Sequence, residues 1–410
     1  MKKFFVHVIA GVIPFKKLRR KVRSSLLNGD QCPPCNKHGS HVIANVSPNL
    51  SPSGVNGGSA KERLKYYSCG QIENLALIFN GTVDKSGKYL TFCCEPIGNI
   101  PGATLGRTAE ESINRLVRER AALIEESKRL SLAGGGTVSD EERKYTAGCA
   151  KCVYFQLKDW KGQDKGPEQI IFSYVNLSMY PSPCQCKCIY CAMHGTEKIE
   201  LNQLQTENYK KVFDLIEWVD KKGMVAANAT WQISSGEITI HPYKERILNL
   251  MKGKKAVFFS NCFIFDEKIA ANLAENPDSQ IELSIDCGTP ETWHKVKGAD
   301  NFGIVMDNLS KYHANTTKSG QIRFKYIVLP GINVSDADYK SVVEIMKRLD
   351  VGQLCISRNT RLMYARKEHD ALIEAAGHLV AMLRSSKMEA TFCNFSSVEQ
   401  ERILALANKN

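Results

Sequence analysis

From residue 168 onward the apolar positions fall into a repeating rhythm. Short runs rich in β-branched and aromatic residues alternate with longer stretches in which apolar residues recur every three to four positions. The runs "IIFSYVNLS", "ATWQIS", "AVFFSN", "IELSID", "IRFKYIVL" and "GQLCIS" predict strands. The stretches "ENYKKVFDLIEWVDKK", "YKERILNLMK", "DEKIAANLAEN", "GIVMDNLSKYHAN", "DADYKSVVEIMKRL" and "EHDALIEAAGHLVAMLRS" predict the helices between and after them. Such alternation implies parallel strands joined by right-handed crossovers. Six units are too few to close an eight-stranded barrel. The fold class expected is therefore α/β, a partial (β/α)6 TIM-like barrel preceded by a smaller α+β cysteine-rich domain, with chemistry at the carboxyl ends of the strands.

Ahead of that rhythm the pattern breaks up. Residues 61–165 hold one strong helix, "TAEESINRLVRERAALIEESKRL", with Thr108 as N-cap and Glu111 three positions on in a capping-box arrangement. Residues 28–60 are rich in Gly, Ser, Pro and Asn and read as linker. The opening "FFVHVIAGVIPFKKLRRKVRSSLL" has too short an apolar run for a bilayer span of ~20 residues. It suits a basic helix in the interface of an anionic membrane or docked on a partner, although Pro14 interrupts it and a solvated tail is the competing reading. The organisation expected is a docking segment (1–30), a linker with "CPPC" (31–60), a cysteine-rich domain (61–165), the barrel (166–390) and a strand/helix extension (391–410).

Composition narrows the class. The chain is 43% hydrophobic and 24% charged with 14 prolines in 410 residues, which excludes disordered and collagenous types. Much of the formal charge of +12 sits in the opening segment; the near balance elsewhere argues against a nucleic-acid surface. Fifteen cysteines, an odd number, and no convincing cleavable signal peptide point to reduced thiols in the cytoplasm, several of them metal ligands. The expected location is cytoplasmic, peripheral at the inner membrane face.

The stretch "YPSPCQCKCIYCAMHG" places four cysteines in eight positions directly after the first barrel strand. Disulfides between such close cysteines are strained. Zinc on Cys184, Cys188, Cys191 and His194 is a fair rival. The third reading takes Cys184, Cys188 and Cys191 as thiolates for three irons of a [4Fe–4S] cluster with the fourth iron open. Cys-x3-Cys-x2-Cys, with the aromatic Tyr190 before the last cysteine, resembles the signature of radical S-adenosylmethionine (radical SAM) enzymes. The resemblance implies that S-adenosylmethionine chelates the open iron and is cleaved to a 5′-deoxyadenosyl radical that abstracts a substrate hydrogen.

Later segments resemble the same family in order. "SSGEITIHP" matches a Gly-Gly-Glu-Pro motif at Gly236 and Glu237, with Ser235 and Ile238 departing from it. The resemblance implies that the Glu237 carboxylate takes hydrogen bonds from the cofactor's ammonium. It likewise implies cofactor contacts for Ser260 and Asn261 in "FFSNC", for Ser284 and Asp286 in "SIDCGTPETWHKVKG", and for Ile327 to Leu329 in "KYIVLPGIN". Lys325 and Arg358 are candidates for the cofactor carboxylate. Cys186 is assigned no role.

Cys69, Cys93 or Cys94, Cys149 and Cys152 could enclose a second [4Fe–4S] cluster, a layout that resembles a SPASM or Twitch auxiliary domain placed before the barrel; structural zinc and inert buried cysteines are the alternatives. "CPPCNKHGSH" offers Cys32, Cys35, His38 and His41 as a weak zinc knuckle. The activity expected is oxidation or epimerisation of a sugar, a small-molecule substrate, with a flavodoxin- or ferredoxin-type reductant and no nucleic acid. Asp286 and the thiols of Cys287, Cys262 and Cys355 are candidate catalytic groups, a thiol being able to quench a carbon radical from its opposite face. A peptide-modifying radical enzyme is the alternative within the family. Outside it stands a non-catalytic iron–sulfur carrier or zinc-binding interaction protein.

Overall fold

The computed structural model of the chain describes residues 65–73, 75–80, 88–92, 102–132, 146, 149, 155–160, 170–178, 182–191, 200–234, 236–359 and 369–409. The docking segment, the linker with Cys32 and Cys35, His194, and the ligand candidates Cys93, Cys94 and Cys152 lie outside these residues. The strands are β1 (Lys65–Ser68), β2 (Ala76–Asn80), β3 (Lys88–Thr91), β4 (Gly102–Thr104), β5 (Gln156–Asp159), β6 (Phe172–Ser178), β7 (Val225–Ile233), β8 (Ala256–Phe259), β9 (Gln280–Ser284), β10 (Ile322–Val328), β11 (Gln353–Arg358) and β12 (Glu389–Cys393). The helices are α1 (Gly70–Glu73), α2 (Ala109–Leu132), α3 (Gln203–Lys221), α4 (Lys244–Met251), α5 (Glu267–Glu275), α6 (Pro290–Lys297), α7 (Phe302–His313), α8 (Asp336–Arg348), α9 (His369–Ser385) and α10 (Ser397–Ala407). Among the described residues no helix is long and apolar enough to cross a membrane.

From β6 to β12 the strands lie side by side in chain order, each parallel to the next. That is one strand more than the six expected, because "EATFC" adds a further unit after α9. The sheet does not stop at β6 either. β2 pairs parallel with β6, and β3 and β4 continue antiparallel beyond it, so the order is linear, with β12 and β4 at its edges. Strands β2, β3 and β4 of the block 61–165 thus share the barrel's sheet, while β1 and β5 pair antiparallel in a separate two-stranded sheet. A bare β6 edge would leave a row of unpaired backbone groups, and the apolar "ALIFN" of β2 fills it.

Local chemistry fixes the helix starts. Asn202 and Gln205 form a full capping box ahead of α3, Asp266 caps α5, and Ser335 caps α8. Before α2 the Thr108 hydroxyl accepts from the Glu111 N–H (3.1 Å), but the Glu111 carboxylate reaches the Arg107 N–H (2.7 Å), one residue earlier than a capping box requires. Helix α6 was missed in the sequence. Its marks were present: Thr289 caps it, Pro290 opens it and Gly298, with φ +66°, ends it.

Strands in consecutive order with crossovers of one hand place their helices on one face. Ile281, Leu283, Phe324, Tyr326, Leu354 and Ile356 are buried on that face with Leu309, Tyr312, Val342 and Met346. The alternate positions share the helix-free face. There the register runs Ser284, Lys325, Cys355 straight across β9, β10 and β11.

Candidate active site

The loop 182–191 leaves the carboxyl end of β6 and is held from two sides. On one, the Glu237 N–H donates to the Pro183 carbonyl (2.7 Å), and Gly236, at φ +61°, lies so close that a Cβ would collide with the Ser182 side chain and the Pro183 carbonyl. On the other, the N–H groups of Lys187 and Ile189 donate to the carbonyls of Lys297 (2.8 Å) and Val296 (3.0 Å) at the end of α6. Helix ends leave carbonyls without intrahelical partners, and here the cysteine loop takes them. Gly236 and Glu237 are therefore brought to the cysteine loop, through backbone and packing.

The Glu237 carboxylate itself is fully buried. One oxygen accepts from the Thr239 N–H (3.0 Å), the Thr239 hydroxyl (2.9 Å) and the Ser260 hydroxyl (3.0 Å); the other accepts from the Asn261 N–H (2.6 Å). Burial raises its pKa against these donors. The chain's own donors thus gather on this carboxylate, which ties the end of β7 to the end of β8. Ser260 is drawn into the same tie. Asn261 instead turns its amide to the cysteine loop, 3.0 Å from Gln185 Oε1 and 3.8 Å from Cys184 Sγ.

Asp286, fully buried at φ +52°, is the second anchor. Its Oδ1 accepts from the Ile327 N–H (2.6 Å), and its Oδ2 accepts from the Tyr190 hydroxyl (2.5 Å) and the buried Lys297 ammonium. Lys297 also donates to the Tyr190 oxygen (2.8 Å) and to the Ser284 carbonyl (2.5 Å). Burial alone would lower the Lys297 pKa, but Asp286 and the neighbouring thiolates outweigh it and the net shift is upward. Tyr190 packs on Val296, Ile327 and Leu329. Asn333, buried in the "LPGIN" turn, donates to the carbonyls of Asp286 (2.7 Å) and Ile327 (2.8 Å) and locks the ends of β9 and β10 together. Tyr190, Asp286 and Ile327 are thus gathered as expected. Lys297 and Asn333 were missed, although both lie inside quoted segments; nothing local marks a lysine on a short helix as buried.

Other expectations fare differently. Arg358 is committed to Glu399 of α10 (2.8 Å), with both side chains nearly buried, so it is not a free cation for a cofactor. Cys262 and Cys287 are fully buried in the apolar core, their thiols turned to the carbonyls of Ser260 and Ile285, and burial pushes both pKa values up. Both lie in the loops that follow β8 and β9, shut off from solvent. Cys355 and Lys325 lie on the helix-free face. Cys69 and Cys149 pack against the main apolar core.

The thiols of the loop suit iron. Cys186, buried between its neighbours, lowers the pKa of both Cys184 and Cys188, that of Cys188 to about 6 with help from Lys297. Cys184, Cys188 and Cys191 are only partly buried. Among the described residues no three ligating groups converge on one point, as a mononuclear zinc ion requires. Thiolates that serve different irons of a cube need no such convergence.

Residues 183–341 match the model of the Radical SAM superfamily. Among solved structures the chain is similar to SuiB of Streptococcus suis bound to its precursor peptide SuiA, at 12% identity over 72% of this chain and 67% of that one, with a TM-score of 0.41. It is also similar to a radical SAM methyltransferase from Sphaerobacter thermophilus, at 14% identity over 53% and 64% of the two chains, with a TM-score of 0.37. The chain spans about two thirds of the length of each. No curated protein sequence matches it.

Proposed function

We propose that this chain cleaves S-adenosylmethionine reductively at a [4Fe–4S] cluster held by Cys184, Cys188 and Cys191, and so takes a hydrogen atom from its substrate. When bound, cluster and cofactor would supply a 5′-deoxyadenosyl radical. The chain's own residues do the positioning. Gly236 and the Glu237 N–H fix the entry of the cysteine loop, the α6 carbonyls fix its middle, and Tyr190, seated on Asp286 and Lys297, fixes its end. The observation that carries this reading is that three thiols, two of them with pKa-lowering partners, sit on a loop pinned at the carboxyl ends of parallel strands, within the segment that matches the radical SAM superfamily.

The substrate we propose is a sugar, oxidised or epimerised. The helix-free face supports a hydroxyl-rich ligand, since Asn176, Gln232, Ser284, Lys325 and Thr391 share it. A second cluster on Cys69, Cys93 or Cys94, Cys149 and Cys152, a flavodoxin- or ferredoxin-type reductant, and membrane contact through the basic opening segment belong to the same proposal. Anaerobic reconstitution with iron and sulfide, then dithionite and S-adenosylmethionine, tests it. The wild type should release 5′-deoxyadenosine and Cys188→Ala should release none; a protein that takes up zinc in place of iron, or leaves the nucleoside intact, would end the reading. Iron counts on Cys149→Ala test the second cluster.

A further inference from the structure

Two thiols meet on the helix-free face beyond the rim. The register sets Cys355 opposite Thr391 and Cys393 opposite Ser357, so the two cysteines are diagonal neighbours on adjacent parallel strands β11 and β12, on one face. The two sulfurs are near enough to dominate each other's ionisation, Cys393 raising the Cys355 pKa and Cys355 lowering that of Cys393. Lys325 of β10 is directly opposite Cys355, and Ser284, whose carbonyl takes the Lys297 ammonium of the rim, is directly opposite Lys325. Behind the pair, a cavity of about 250 Å³ opens at the starting ends of β9, β10 and β11, lined by Arg323, Gln353, Ser319 and Cys355 itself. Cys355 therefore stands between the helix-free face and a route to water at the opposite end from the cysteine loop.

We propose that Cys355 and Cys393 are a paired-thiol hydrogen donor that returns a hydrogen atom to the substrate radical, making the net reaction inversion at carbon rather than oxidation. The inference rests on the radical chemistry proposed above. The Cys355 S–H bond breaks, a C–H bond forms on the substrate, and a thiyl radical remains on Cys355. Cys393, present as thiolate beside Lys325, shares the unpaired electron through a two-centre three-electron S–S contact. One electron from a low-potential one-electron donor, the flavodoxin or ferredoxin class already invoked, and one proton from water in the cavity restore the Cys355 thiol. The sum is one carbon radical, one electron and one proton giving one C–H bond. The two sulfurs have separate duties: the nearby Cys393 and burial raise the Cys355 pKa and keep it protonated, while Cys355 and the Lys325 charge bring the Cys393 thiol down to about 6 against burial.

Two measurements on the full-length, anaerobically reconstituted protein test this. In the first, iodoacetamide is the probe and alkylation is read peptide by peptide at neutral pH. Cys393 should react before Cys355, and Cys355→Ser should slow Cys393 by about tenfold or more as its thiolate fraction falls. Lys325→Met should slow it in the same direction and carries the test if Cys355→Ser does not fold. Rates for Cys393 within about twofold of wild type in the folded variants would overturn the pairing. In the second, S-adenosylmethionine is cleaved in D2O without substrate, where the 5′ radical should take deuterium from the exchangeable Cys355 thiol. The label in 5′-deoxyadenosine should fall on Cys355→Ser; a wild-type product without deuterium, or an unchanged label in the variant, refutes the donor role. A wild type that makes no 5′-deoxyadenosine sinks the radical reading instead, while the alkylation result still decides the thiol pair.

Discussion

At the carboxyl ends of β7, β9 and β10 the polar side chains Glu237, Asp286 and Asn333 are fully buried and bonded on every side to their own chain. Along β10, β11 and β12, Lys325, Cys355 and Cys393 are only half buried and face the side without helices. The first region is a frame. Its charged and amide groups hold a cysteine loop that has no regular secondary structure of its own, and a loop can be rigid only if its backbone groups find such partners. The second region keeps its reactive groups available. A site that must hold a cluster and also receive a substrate needs both.

The sharpest way to break the frame is at its buried ion pair. Lys297→Met leaves the Asp286 carboxylate uncompensated and should destabilise the protein by about 3–5 kcal/mol, read as a shift in the urea midpoint. Adding Asp286→Asn should recover much of the loss; if the single variant is no weaker than wild type, the pair does not anchor the loop. The matched change on the open wall, Lys325→Met, should alter stability by less than about 1 kcal/mol. A loss as large as that of Lys297→Met would erase the contrast between the two regions.

Gly236→Ala comes next. A left-handed backbone costs an alanine about 1–2 kcal/mol, and forcing its methyl against Ser182 and Pro183 adds about 1–3 kcal/mol. The variant should be less stable and should also retain less iron after reconstitution, because the displaced segment leads straight into Cys184. Normal iron content in a destabilised variant would separate the glycine from the cluster loop.

The smallest effect is a pH dependence. His241 is buried beside Tyr209 and Tyr243, its Nδ1 accepting from the Tyr243 N–H (3.1 Å), and burial lowers its pKa to about 4. Between the ordinary histidine value and that one, the unfolded chain binds a proton that the folded chain does not. Stability should therefore fall as pH drops through that window, by at most ~1.4 kcal/mol per pH unit, and be restored above it. His241→Phe should flatten this part of the profile in urea titrations at successive pH values; an unchanged slope would mean that other groups set it.

Periodicity along the chain determined most of the barrel, since the alternation of apolar runs is a property of neighbouring residues and survives without knowledge of the partner strand. The cysteine spacing, Gly236 and Glu237 were legible for the same reason. Short elements were not. "PETWHKVK" is too brief to show a period, the strand expected after residue 390 gave no sign that it joins the barrel sheet, and the pairing of β2 with β6 joins residues about a hundred positions apart, which no local pattern encodes. Nor could sequence say which of three candidate thiols, Cys262, Cys287 and Cys355, faces open space, or that Cys393 would meet the last of them. A side chain's outlook depends on which face of a strand or turn the whole sheet presents, and its pKa depends on charges brought near by folding. Those are decided only when distant segments, each able to form alone, are packed against one another.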